Sequence, residues 1–270
     1  MGEVTSAAIH VRSRDRVALI DALGAVFGAE GLEPRPSARD DPEPPQGGVR
    51  LLVLPSSGPW TAVLPERPAL AQRIASDLAL AAKAPLVTLR LIDDAFAFAY
   101  EAYGPGGDLL DAYHSCPDAE KGYGEADASD EELERTRGQA EKLSALGVEG
   151  DLGELASVLK DARIERLADH DVGSSRFVDA EEPCRLFREQ LGLSEQADEG
   201  FDALWELGLE MGDEDSLRYL VYAPPKGAKK GLGARIWDSL TTSDDEDESA
   251  DLDEDEDEPL EDELDDEEDL

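Results

Sequence analysis

The sequence has little of what usually betrays a function. Aromatic residues make up 6% of it, and there are two cysteines and three histidines in 270 residues. Two cysteines, Cys116 and Cys184, cannot build a disulfide framework, and a chain of this length has no need of one. Structural zinc needs about four Cys, His or acid ligands at short spacing, and only His114 and Cys116 stand close together. No run is apolar and long enough to span a membrane, and the first residues, MGEVTSAAIHVRSRDR, lack the apolar stretch of a signal peptide. No glycine-rich loop leads into a helix to cradle a phosphate, since Gly104, Gly106 and Gly107 precede a strand pattern. No cofactor is therefore expected. Bases are scarce as well: 25 Lys and Arg stand against 65 Asp and Glu, for a net charge of -40. Contact with phosphate backbones or anionic lipid needs clustered cations, so no direct nucleic acid and no membrane is expected, and the cytoplasm is the expected location.

The acids are unevenly placed. From Asp244 to Leu270 there are 20 acids and no base, which leaves 45 acids with the 25 bases in the rest of the chain. A segment with so few apolar groups cannot offset the entropy of ordering, and its like charges repel. Residues 244–270 therefore read as a disordered acidic tail, able to reach about 90 Å at roughly 3.3–3.6 Å per residue. Leu252, Leu260, Leu264 and Leu270 are spaced among the acids, which suits docking better than solubility alone. Asp251, Asp253 and Asp255 imitate the start of a calcium loop, but Glu256 stands where that loop requires glycine.

The first half alternates strand and helix patterns. Residues 7–12 read as a strand, and Ser13 as the cap of a helix with Val17, Ile20, Leu23 and Phe27 on one face. Residues 33–48, rich in proline and glycine, read as a loop. Residues 49–54 and 60–64 suit a hairpin, and Pro68 opens a helix bearing Leu70, Ile74 and Leu78. Residues 86–92, 95–103 and 109–115 complete the strands, with Phe96, Phe98 and Tyr100 on one face. The order predicts an α+β fold: a ferredoxin-like split βαβ sheet with an extra hairpin, followed by a helical region and the tail. Ser129 and Glu132 form a capping-box pattern ahead of one helix carrying Leu133, Ala140, Leu143 and Leu146. Further helices are expected after Asp151, at Pro183 and from Ser194, and a last strand over residues 217–222. The expected organisation is a sheet half (1–116), a mostly helical half (117–223) that can share its core, a basic amphipathic segment (224–243) and the tail (244–270).

Reactive groups are few. His114 and Cys116, two apart on a strand, would share a face, but no third group is evident to orient a nucleophile pair. Cys184 falls on the apolar face of its helix and reads as core. Asp93 and Asp94 could be paired carboxylates, or simply turn formers between two strands. The basic segment carries Lys229, Lys230 and Arg235, with Leu232, Ile236 and Leu240 at four-residue spacing beside Trp237. Such a helix can dock into a protein groove or pack on its own body.

Trp60, Ser76-Asp77-Leu78, Asp93-Asp94, Tyr103-Gly104, the stretch Asp111-x-Tyr113-x-Ser115 with Pro117, and Leu191-Gly192-Leu193 occur in that order. The set resembles that of uncharacterised bacterial proteins of similar length, over roughly residues 5 to 215. The resemblance implies one fold across that span and assigns no activity, and no residue role is carried over from it.

These features predict a non-enzymatic cytosolic binding or regulatory protein that meets a basic protein partner through its C-terminal region. The contact residues expected are Lys229, Lys230, Arg235, Trp237, Asp244, Asp245, Glu246, Asp247 and Glu248. Two alternatives stand beside it. One is a small enzyme using Asp93, Asp94, His114 and Cys116. The other is a nucleic-acid-mimicking inhibitor, which requires an ordered stripe of carboxylates on the body.

Overall fold

The computed structural model describes residues 4–35, 47–92, 96–121, 127–147, 150–164, 177, 179–211 and 217–225. The strands are β1 (Val4–Val11), β2 (Glu33–Arg35), β3 (Val49–Val53), β4 (Thr61–Pro65), β5 (Leu86–Ile92), β6 (Ala97–Tyr103), β7 (Leu109–His114) and β8 (Arg218–Ala223). The helices are α1 (Arg16–Ala29), α2 (Ala69–Ala82), α3 (Asp130–Arg135), α4 (Ala140–Leu143), α5 (Leu152–Asp161), α6 (Glu181–Leu191) and α7 (Gly200–Met211). All eight strands join one sheet in the order β2-β8-β3-β4-β1-β5-β6-β7, and every neighbouring pair is antiparallel.

Apolar groups on both faces of the sheet explain the architecture. Successive side chains of a strand point to opposite faces, and β3, β4 and β5 read VRLLV, TAVLP and LVTLRLI. Strands with such continuous apolar runs must be covered twice. On one face Ile9, Val11, Leu51, Val53, Val63 and Leu86 pack against Leu19, Leu23 and Phe27 of α1 and Leu70, Ile74 and Leu78 of α2. The alternate residues face the second half of the chain. Val87, Leu89, Phe98, Tyr100 and Tyr113 meet Leu143, Leu155, Leu159, Phe187 and Leu191 of α4, α5 and α6. Beside them Ala8, Leu52, Leu54, Ala62 and Leu64 meet Phe201, Leu204 and Trp205 of α7. The helical half is thus one layer of a three-layer body. It also contributes β8, which lies between β2 and β3.

Several local expectations are corrected. The cap of α1 is Asp15, whose carboxylate accepts from the Ala18 N–H at 3.0 Å, while the Ser13 hydroxyl accepts from Asp15 N–H. With that start the buried stripe is Leu19, Ala22, Leu23, Val26 and Phe27, and Val17 is 70% exposed. Phe96 precedes β6 and is exposed, whereas Phe98 and Tyr100 are fully buried. Within the predicted loop, Glu33–Arg35 form edge strand β2 on β8; proline is tolerated at an edge. The single helix expected after Ser129 is two. The capping box is present and starts α3, but residues 136–138 then leave the helix and pair with the edge of β7. Thr136 C=O accepts from His114 N–H, and Gly138 N–H donates to Ala112 C=O, both at 3.0 Å. Gly138 has a φ of +73°, and a Cβ there would sit 2.8 Å from Tyr113, so only glycine fits this crossing.

Candidate functional site

His114 ends β7, so the alternation of the strand stops before Cys116. The contact between the two residues runs from the Cys116 backbone N–H to Nδ1 of His114, at 3.1 Å. That nitrogen is an acceptor already in use, and the bond does not involve the thiol. Cys116 is fully buried beside Ile92, Ala97 and Ala99, and burial pushes its thiol up to about 11. Cys184 is buried on α6, and burial likewise pushes its thiol up to about 11. A nucleophilic cysteine needs the opposite, a thiolate near neutral pH. In the native chain at pH 8 both cysteines are expected to react with a chromogenic disulfide reagent far more slowly than a free thiol, and rapidly once urea is added. Fast native labelling of either would contradict this burial.

A groove at the β7 edge of the sheet has a different lining. It measures about 500 Å³ and is bounded by Leu109, Leu110 and Asp111 of β7, Glu131, Glu134 and Arg135 of α3, and Gln139 and Lys142 near α4. Asp111 is its buried acid. One carboxylate oxygen accepts from the Tyr100 hydroxyl at 2.7 Å and from the Gln139 backbone N–H at 2.8 Å. The other lies 3.8 Å from the Lys142 ammonium. Burial raises the Asp111 carboxyl against the opposing pull of Gln139, Tyr100 and Lys142. Burial, then the charge of Asp111, raises the Tyr100 phenol well above its ordinary value. The carboxylate ties α4 and the core tyrosine to the edge strand. Its visible signal is one acid in LLDAYH, sharing with Tyr113 the face that packs inward.

His10 lies on central strand β1 and is completely buried. Burial first, and the charge of Arg188 second, lower its imidazole to about 3. Nothing in AAIHVR marks it out, since a histidine in a two-faced apolar strand carries no pattern of its own.

The structure brings His114 and Cys116 together through the bond from the Cys116 backbone N–H to the His114 ring. Asp93 and Asp94 lie outside the described residues, as do Lys229, Lys230, Arg235, Trp237, Asp244, Asp245, Glu246, Asp247 and Glu248. No group of three or more His, Cys, Asp or Glu among the described residues is placed to hold a metal ion, and no described helix is long and apolar enough to cross a membrane. No family model matches the chain, and no curated protein or solved structure matches it.

Proposed function

We propose that this is a non-enzymatic cytosolic binding protein that captures a basic protein partner through its C-terminal region. The observation that carries the reading is the charge of residues 244–270, with 20 acids and no base. A polyanion of that density attracts a cationic surface at long range, with a strength that falls as salt screens it. The folded body supports the reading from the other side. Among the described residues both thiols are buried and raised, the His114 imidazole accepts from the Cys116 backbone N–H, and the Asp111 carboxylate is engaged at both oxygens. The His114 imidazole and the Asp111 carboxylate tie neighbouring segments to β7. We also read β1–α1–β3–β4–α2–β5 as a ferredoxin-like split βαβ unit, because β4 lies beside β1 and β1 beside β5, with the remaining strands added around it.

The test is capture from native cell extract with two baits, the full chain and a chain cut after Ser243, across a salt series. A basic protein held by the full chain, and lost on truncation or at high salt, is the expected result. A partner held equally by both baits would move the contact to the body, and no partner with either bait would remove the proposal. The mimic reading predicts something different, competition with nucleic acid for a nucleic-acid-binding partner. Among the described residues a short acidic run spans Asp130 to Glu134. Within that run Glu132 is tied to Lys121 and Ser129, and Glu134 to Arg137.

A further inference from the structure

A small cavity lies under the helical layer against the centre of the sheet. Its volume is about 20 Å³, and Ser6, Ala8 and His10 of β1, Leu89 of β5, and Cys184 and Arg188 of α6 are among its lining residues. Both ring nitrogens of His10 are buried there with no hydrogen-bond partner in the protein. A neutral imidazole has one N–H that must donate and one bare nitrogen that must accept, and leaving such groups unmatched in an apolar interior is costly.

We infer that this cavity is a binding site for one ordered water molecule, which completes the hydrogen bonding of His10 and links β1 to α6. Size and chemistry agree. A space of about 10–15 Å³ or more holds a single water if two to four polar groups surround it. Here three polar residues, His10, Ser6 and Arg188, line the space, and the Arg188 charge lies close enough to act on the ring. Water both donates and accepts, so it can serve either ring nitrogen. A halide ion accepts only, and would leave the bare nitrogen of a neutral ring unmatched. An apolar occupant would leave both unmatched. The water also explains how a histidine persists between two apolar clusters, the one around Phe187 and the one around Trp205.

The test is nuclear magnetic resonance on the full chain, labelled with nitrogen-15 in its histidines and carbon-13 in its methyl groups. Expected are a cross peak between bound water and the His10 ring proton with the sign of a long-lived complex, and one fixed neutral tautomer at pH 7. Resonances of the Leu89 methyls should not move under xenon pressure. Absence of the water cross peak, with or without a xenon shift at Leu89, would show a dry cavity and overturn the inference. Movement of the His10 ring signals with chloride concentration at constant ionic strength would overturn it in favour of an anion. Neither outcome bears on partner capture by residues 244–270.

Discussion

Acidification from pH 7 to near pH 5 is expected to remove about 2 kcal/mol of folding stability through His10 alone, and His10→Leu is expected to abolish that share of the pH dependence. The imidazole is lowered to about 3 in the folded chain, from 6.5. The unfolded chain therefore binds a proton that the folded chain refuses, and stability rises with pH over the interval between those two values. At pH 7 the ring is mostly neutral in both states, so little is lost. As pH falls below 6.5 the unfolded state gains the proton and the folded state does not, and the loss grows until pH approaches 3. A shift of one pH unit in this window corresponds to about 1.4 kcal/mol. The groups that face the ring argue the same way, because Arg188 contributes positive charge and Cys184 is a raised, neutral thiol. Urea denaturation of the parent and His10→Leu at the two pH values isolates the effect, since the other titrating groups are common to both. Equal pH slopes would place His10 in water rather than in the core.

Phe187→Ala is expected to cost about 3–5 kcal/mol, the range for deleting a fully buried phenylalanine. Phe187 is completely buried, its ring stacks on Tyr100 with centroids 4.5 Å apart, and Phe98 lies at 6.2 Å. It is the side chain by which α6 meets the aromatic strip of β6. The cavity left behind cannot close easily, because Tyr100 is held by Asp111 and the Tyr113 hydroxyl by the Leu159 carbonyl at 2.9 Å. Trp60 holds the far end of the same helix, its indole N–H donating to the Leu191 carbonyl at 2.9 Å. Phe187→Leu should cost distinctly less than the alanine variant. Denaturant midpoints measure both, and a loss under about 1 kcal/mol for Phe187→Ala would mean that this helix is not closing the core, since such small values belong to surface positions.

Much of this body is written in local patterns. The stripe Leu70, Ile74 and Leu78, the stop at Gly192 and the box Ser129–Glu132 all appear where periodicity and capping chemistry put them. What local patterns do not carry is pairing between distant segments. Residues 136–138 leave a helical sequence pattern because the edge of β7 offers them hydrogen-bond partners. Glu33–Arg35 become a strand because β8, almost two hundred residues later, lies alongside. The groups with perturbed acidity were hidden for the same reason. His10 and Asp111 owe their surroundings to α6 and α4, and no spacing near either one announces that contact. His114 and Cys116 are legible as neighbours, but the burial of Cys116 comes from its packing against Ile92, Ala97 and Ala99.

The place of β8 sets the order in which the protein can be completed during synthesis. Edge strand β2 pairs with β8, and β3 holds β8 on its other side. Until Arg218–Ala223 have left the ribosome, β2 therefore lacks the strand that joins it to the sheet, and β3 presents a bare row of backbone donors and acceptors. Open edges of this kind recruit other strands, so the interval before β8 arrives is when a nascent chain is most exposed to wrong pairing. The acidic residues 244–270 emerge after that strand, and their charge is added to a chain whose last sheet position can already be filled.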